Sequence, residues 1–280
     1  MENFKALPID WAHETVGMRR CTRQINHIRL SDKSHFPLRI LCVLQRCHPT
    51  VVYNLFPRLT SISFVGNHYA PAITHCLLAT PSIRHVTFEA NVCRMHLRSW
   101  ILACQPALGL DSFSIKLETD DTDIFSSQME HMPTFHSVTQ SLCSFISSRA
   151  LWKHIDLPGK LVKPATMTAL ALVNSLESLS LTGPLSTYKF ALSGKVFKSL
   201  RTLRMRHLSN GEALFKGVTL SSVESLVLEF DKSTEGKRNN CPKSYLATMA
   251  KACPNVRNFE VSLMYSAAEH SKNALGELIP

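Results

Sequence analysis

The amino-acid sequence predicts an α/β fold. The predicted architecture is a leucine-rich repeat solenoid of about nine irregular repeats, with a curved parallel β-sheet and helices on the convex side. Three segments carry this prediction: Leu176-x-x-Leu179-x-Leu181, Leu200-x-x-Leu203-x-Met205 and Val223-x-x-Leu226-x-Leu228, which recur 24 and then 23 residues apart. Prolines support the same register, because Pro57, Pro81 and Pro254 each stand two residues before the first apolar position of a predicted strand.

The spacing within each segment is that of a strand. Alternate side chains of a strand point to opposite faces, so the fourth and sixth positions of the pattern face the same way. A strand this short cannot bury enough apolar surface by itself and needs its neighbour one repeat later. Parallel strands require a crossover of a dozen or more residues, and the 24-residue period leaves room for one.

The same pattern locates the remaining elements. Nine strands are predicted over 25–30, 59–64, 83–88, 110–115, 152–157, 176–181, 200–205, 223–228 and 256–261. Helices are predicted over 38–47, 72–79, 95–104, 135–146, 165–173, 211–218 and 245–252. Asn67 and Asn91 follow two of the strands, where an asparagine side chain can satisfy backbone groups of the bend.

Three regions follow along the chain. Residues 1–20 are expected to form an N-terminal cap or linker, 21–265 the solenoid and 266–280 a C-terminal capping helix, centred on 267–278. Two insertions interrupt the solenoid, an acidic one over 117–134 and a polar one over 231–243. The acidic stretch lacks the glycine and glutamate positions of an EF-hand loop, which favours a solvated loop.

The amino-acid composition indicates the cellular compartment in which the protein is expected. Apolar residues make up 45% of the chain, which is usual for a globular protein. We find no apolar run of membrane-spanning length and no continuous apolar block of a secretion signal near the N-terminus. Nine cysteines, without a C-x-x-C pair, indicate reduced thiols of an intracellular protein, either cytoplasmic or nuclear.

The charge balance is basic. Lys and Arg number 31 against 21 Asp and Glu, giving a formal net charge of +10. Such a balance favours acidic partners and is also found in nucleic-acid-binding proteins. Because the basic residues are dispersed and the aromatics do not interleave with them, we expect a basic surface for solubility, with an acidic protein ligand ahead of nucleic acid.

Catalytic and metal-binding patterns are weak. The tightest cluster, Cys42, Cys47 and His48, has no second half to complete the four ligands that zinc prefers. Phosphate-binding, dinucleotide-binding and serine-hydrolase glycine motifs are missing from the sequence. We therefore predict no catalytic residue, no cofactor and no metal site.

The open face of the predicted sheet remains as the candidate site, since concave surfaces of solenoids commonly bind macromolecules. Its outward positions are His27, Arg29, Ser61, Ser63, His85, Glu89, Lys116, His154, Asp156, Ser178, Ser180, Thr182, Thr202, Arg204, Arg206, Glu229 and Glu260. The tentative protein-binding set is Arg204, Arg206, Ser180, Thr182, Asp156, His154 and Glu229. The planar donors of the two arginines suit carboxylates, which suggests an acidic peptide site; the alternative is an ordinary solvated strand face.

The chain resembles the leucine-rich repeat portion of fungal F-box proteins. The resemblance rests on the segments that begin at Leu55-Phe56-Pro57 and Thr80-Pro81-Ser82, and on Asp10-Trp11 followed by Cys21-Thr22-Arg23. It implies a receptor whose repeats hold the protein to be ubiquitinated, while an F-box binds the Skp1 adaptor of a cullin ubiquitin ligase. Of that box only Leu7-Pro8 is similar, so the adaptor is expected as a partner only if an F-box lies outside this chain.

These observations predict a non-enzymatic protein-interaction module that resembles a substrate-recognition arm. A nucleic-acid-binding or other scaffold solenoid that uses the basic surplus is the alternative. A hydrolase that uses a cysteine or histidine is a third, weaker interpretation.

Overall fold

A computed structural model describes residues 24–31, 56–65, 82–90, 96–105, 107, 109–117, 133–183, 192–206, 216–231 and 243–264. These residues form an α/β protein around a parallel sheet of nine strands. Two further strands, β7 and β9, form a small sheet of their own. In chain order the strands are β1 His27–Ser31, β2 Ser61–Val65, β3 His85–Ala90, β4 Ser112–Leu117, β5 His154–Pro158, β6 Ser178–Thr182, β7 Gly194–Lys195, β8 Thr202–Arg206, β9 Val218–Thr219, β10 Ser225–Asp231 and β11 Asn258–Met264. The helices are α1 His96–Ala103, α2 Pro133–Ser147, α3 Pro164–Leu172 and α4 Lys243–Ala252.

The large sheet is built in chain order, β1-β2-β3-β4-β5-β6-β8-β10-β11, which is compatible with a solenoid-like stack. Each of its strands begins two residues after the first apolar position of a predicted segment. The pairing keeps equivalent positions side by side, so that Leu179 lies beside Leu203 and Leu203 beside Leu226. The two short strands β7 and β9 pair separately.

Four predicted helices are confirmed, with small shifts in their ends. The predictions over 95–104, 135–146, 165–173 and 245–252 correspond to α1, α2, α3 and α4. The predictions over 38–47 and 72–79, the cap over 1–20, the terminal helix over 267–278 and both asparagine bends lie outside the described residues. The two predicted insertions also lie outside the described residues, except at their ends. Leu117 is the last residue of β4 and Asp231 the last of β10, while Pro133 begins α2 and Lys243 begins α4.

The end of the helix predicted over 211–218 is wrong. Lys216 and Gly217 form a turn and Val218 opens β9. Gly217 has φ +80, a left-handed conformation that interrupts a helix. Its carbonyl accepts the backbone N–H of Gly194 at 3.1 Å, which aligns β9 with β7.

A second backbone ladder runs along the edge where the strands of the large sheet begin. Its members, which we call the edge column, each precede a strand: Asn26, Thr60, Arg84, Asp111, Lys153, Glu177, Arg201, Glu224 and Arg257. Each carbonyl from Asn26 to Glu224 accepts two N–H groups from the next unit. For example, the carbonyl of Glu177 accepts the N–H of Arg201 at 2.8 Å and that of Thr202 at 3.0 Å. The column therefore fixes the register before each strand begins.

The apolar core lies on one side of the sheet. The inward positions of the central strands are almost completely buried, as with Phe64, Phe88, Leu181 and Leu203. A chain of aromatic rings joins the first half: Phe64 stacks on Phe88 at 5.3 Å, and Phe88 meets Phe113 edge-on at 5.8 Å. Such pairs each add about 0.5–1.5 kcal/mol beyond the burial of their area.

Arg149 joins the helical layer to the core. Its guanidinium donates to the carbonyls of Cys104 at 2.6 Å and Gln105 at 2.7 Å, and also to that of Ala107. It lies 5.0 Å from the ring centroid of Phe145 and 5.6 Å from that of Trp152. Because a helix end leaves carbonyls without partners, this side chain satisfies groups that α1 and its following turn expose.

Among the residues described, none of the helices has both the length and the apolar character needed to cross a lipid bilayer.

Candidate binding face

The sheet presents a polar surface opposite the core, which we call the open face. It consists of the alternate strand residues that lie between the buried apolar positions. Because equivalent residues align from strand to strand, these side chains form rows across the sheet. The row nearest the edge column is His27, Ser61, His85, Ser112, His154, Ser178, Thr202, Ser225 and Asn258. Every member of this row can donate or accept a hydrogen bond.

The central row changes character along the sheet. It reads Arg29, Ser63, Thr87, Ser114, Asp156, Ser180, Arg204, Val227 and Glu260. The Oγ of Ser114 donates to Oδ2 of Asp156 at 3.1 Å. Ser180 lies between Asp156 and Arg204, so an acceptor and a cation stand on either side of one small hydroxyl.

Arg204 is the unusual member of that row. Its Nε is buried, and within the described residues it has no hydrogen-bond partner. Val227, the register neighbour of Arg204 on β10, is only 6% exposed although it lies on the open face. An unsatisfied buried donor costs about 1–3 kcal/mol, so an acceptor supplied by a ligand would relieve that penalty.

Arg206 has a partner of its own. Its Nε lies 3.0 Å from Oε2 and 3.1 Å from Oε1 of Glu229, across the β8–β10 pair. Glu229 is the more enclosed of the two, with 14% of its side chain exposed against 38% for Arg206. The two arginines expected to act together on a carboxylate therefore differ, since Arg206 already holds one and Arg204 does not.

The other half of the open face carries exposed ion pairs. Glu89 accepts from Arg29 at 2.9 Å and lies 3.5 Å from Nζ of Lys116, so one carboxylate joins two cations on separate strands. Nδ1 of His27 and Oγ of Ser61 are 3.0 Å apart. Exposed pairs of this kind contribute about 0–1 kcal/mol, so they organise the surface more than they stabilise the fold.

The seven residues predicted to bind protein are brought onto four neighbouring strands, β5, β6, β8 and β10. His154 is exposed in the row nearest the edge column, and Ser180, Asp156 and Arg204 share the central row. Thr182, Arg206 and Glu229 align at the carboxyl ends of their strands. Val227 was not predicted to lie on the open face, although its position between Leu226 and Leu228 places it there.

The open face and the rest of the described surface differ in their balance of charge. Among the open-face side chains that the structure describes, the cations are Arg29, Lys116, Arg204 and Arg206 and the carboxylates are Glu89, Asp156, Glu229 and Glu260, so their formal charges cancel. Elsewhere, the cations whose side chains are described are Arg58, Arg84, Arg98, Arg149, Lys153, Lys160, Lys163, Lys195, Lys198, Arg201, Lys216, Lys251 and Arg257, and the corresponding carboxylates are Asp111, Glu177 and Glu224. The basic surplus of the described residues thus lies away from the open face.

Two of the described cysteines, Cys104 and Cys253, are poorly suited to nucleophilic chemistry. Cys104, Cys143 and Cys253 are free thiols. Burial raises the pKa of Cys104 far above its ordinary value, against a smaller lowering by Arg149, and raises the pKa of Cys253 to about 11. Since the thiolate is the reactive form, these two side chains stay protonated and inert near neutral pH. The cluster of Cys42, Cys47 and His48 lies outside the described residues.

The fold and the open face together define an α/β protein that presents one polar face of a nine-stranded parallel sheet. Neither the known family models nor the curated protein sequences contain a match to this chain.

Proposed function

We propose that the protein is a non-enzymatic protein-binding module, a leucine-rich repeat solenoid that holds its ligand on the open face of the sheet. One observation carries the proposal: polar side chains continue across all nine strands, and among them is the half-buried Arg204, whose Nε has no partner among the described residues. The regular recurrence of buried anchors, one set in each strand of the large sheet from β2 to β10, supports the leucine-rich repeat type.

The size of the open face suits a protein ligand. Nine strands spaced about 4.8 Å apart span roughly 38 Å, and five residues of strand span roughly 16 Å. The product, about 600 Å² before side-chain relief, approaches the ~800 Å² that each partner buries in a standard interface. Because the charges of the described side chains on this face cancel, it is better matched to a mixed polar surface than to a run of phosphates.

The role most similar to this arrangement is that of the substrate-recognition arm of an F-box protein in a cullin-type ubiquitin ligase. In that role the protein works in the cytoplasm or nucleus and binds a protein substrate with acidic character near Arg204. A Skp1-type adaptor joins only if an F-box lies outside this chain.

Affinity capture from a native lysate, followed by mass spectrometry, tests the proposal when variants are compared. Arg204→Glu reverses a charge on the open face, whereas Arg98→Glu reverses an exposed charge on α1, away from it. We expect one or more proteins to be captured by the wild type and the Arg98 variant and lost from the Arg204 variant. Identical captured sets from all three would contradict the proposal. Skp1 and cullin among the captured proteins would support the ligase role.

Nucleic-acid binding is the second candidate, favoured by the excess of cations away from the open face. Salt separates the two functions, because six to ten phosphate contacts lose about 10³–10⁵ in affinity between roughly 50 and 200 mM salt. Nucleic-acid binding would be weakened by Lys195→Glu with Lys198→Glu and unchanged by Arg204→Glu. Protein binding on the open face predicts the reverse pattern.

A further inference from the structure

The last strand of the sheet exposes side chains that its neighbours bury. Phe259 and Val261 are the register partners of Leu226 and Leu228. The two leucines are 3% and 1% exposed, whereas Phe259 is 54% and Val261 44% exposed. Apolar anchors that are covered in one strand are therefore open in the next.

Among the described residues, β11 also has a partner strand on one side only. In the part of the chain that the structure describes, β11 pairs only with β10, in parallel and over all seven residues from Asn258 to Met264. An edge strand of this length offers N–H and C=O groups to another extended segment.

Charge in the edge column specifies what kind of segment fits. From Arg84 onward the column alternates in sign strand by strand: Arg84, Asp111, Lys153, Glu177, Arg201, Glu224, Arg257. Each charge thus has opposite charges as its neighbours along the column. The column ends in an exposed cation, Arg257, so the next position in the same register calls for a carboxylate.

We propose that β11 binds an extended acidic segment of another protein as a tenth parallel strand. The segment has the pattern apolar-acidic-x-apolar-x-apolar. Its second and third apolar side chains cover Phe259 and Val261, and its carboxylate lies beside Arg257. Arg257, Phe259 and Val261 are not residues of the open face, so the proposal goes beyond the function proposed above and can fail without it.

A peptide with the sequence of residues 175–183 of this chain is a direct probe, since it carries the required pattern with Glu177 in the acidic position. We expect saturable binding of the fluorescein-labelled peptide to the full chain, and slower amide hydrogen exchange over β11 in the complex. The same peptide with Glu177→Lys should bind up to about fivefold more weakly, because one exposed ion pair is at stake.

Protein variants locate the contact. Phe259→Asp removes the largest exposed anchor and should weaken the peptide at least about tenfold, with an unchanged far-ultraviolet circular dichroism spectrum showing that the fold is kept. Arg257→Glu should reverse the preference, so that the Glu177→Lys peptide binds better than the original. Arg98→Glu, on α1, is the matched control and should leave both affinities unchanged.

Three results would overturn the proposal. These are no saturable binding of either peptide, binding that Phe259→Asp leaves intact, and concentration-dependent dimers of the wild type that Phe259→Asp dissolves. The last result would identify a second copy of the chain as the occupant of β11.

Discussion

Nε of Arg206 on β8 lies 3.0 Å from the carboxylate of Glu229 on β10, and this pair distinguishes Arg206 from Arg204 on the same strand. Both arginines point to the open face, two residues apart. The charge of Arg206 is already matched by a carboxylate that is only 14% exposed, whereas the buried Nε of Arg204 has no partner among the described residues. Glu229 therefore controls how much cationic character the face offers to a ligand.

Replacement of Glu229 by Gln should free Arg206 for a ligand carboxylate. We expect the affinity for a short poly-glutamate peptide, followed by fluorescence anisotropy at low salt, to rise about threefold to fivefold. The free energy of unfolding should fall by no more than about 1 kcal/mol, because the pair is partly exposed.

Glu260→Gln is the control for that experiment. It removes one negative charge from the same face, but at the edge strand β11, where Glu260 is exposed. Equal gains in affinity from both variants would show a general charge effect and would contradict a specific role for Arg206.

The strands could be predicted from the sequence because their signal is repeated. Each unit places apolar residues at three fixed positions, and the 24-residue spacing on both sides of Leu176 leaves one register that puts them all on the same side of the sheet. The rows of the open face follow directly from that register. The parallel order of the nine strands also follows, since each crossover returns the chain to the next place in the stack.

Contacts between distant residues could not be predicted. Arg149 looks like an ordinary surface residue after a helix, yet it binds carbonyls more than 40 residues earlier in the chain. The pairing of Arg206 with Glu229 depends on side-chain conformations rather than on spacing. The exposure of Phe259 could not be predicted either, because its sequence pattern is the same as that of a buried anchor. The strand β9 depends on the left-handed conformation of Gly217, which no periodicity records.

Arg149 should be one of the most sensitive polar residues in the protein. Arg149→Ala leaves the carbonyls of Cys104, Gln105 and Ala107 without this donor and removes its contact with two aromatic rings, so we expect a loss of about 2–4 kcal/mol. Arg149→Lys keeps the charge but not the planar fork and should lose about half as much. Urea denaturation followed by circular dichroism measures both. Arg98→Ala, an exposed change on α1, should stay within about 0.5 kcal/mol.

The position of a repeat in the stack should decide the importance of its anchor. Phe113 is 1% exposed and contacts the rings of Phe88, Phe145 and Trp152. Phe113→Ala should therefore cost about 3–5 kcal/mol. Phe259 holds the equivalent position in the last strand but is 54% exposed, so Phe259→Ala should cost only about 1 kcal/mol. Similar losses of unfolding free energy for both variants would show that Phe259 is covered in solution.

Burial of Cys253 should make the protein less stable in alkali. Burial raises the pKa of this thiol from its ordinary 9.0 to about 11, so the native state holds the proton more tightly than the unfolded chain does. Below about pH 9 both states are protonated and this thiol adds no pH dependence. Between about pH 9 and 11 the unfolded state loses the proton first, and the free energy of unfolding falls.

Comparison with Cys253→Ala isolates this effect, because lysine and tyrosine titrations are common to both proteins. Wild type should exceed the variant in unfolding free energy at about pH 7, since the buried thiol fills space after α4. That advantage should shrink between about pH 9 and 11, as only the wild type loses the contribution of the protonated thiol. A constant difference across this range, measured by chemical denaturation, would mean that Cys253 is more accessible to solvent than its 4% exposure indicates.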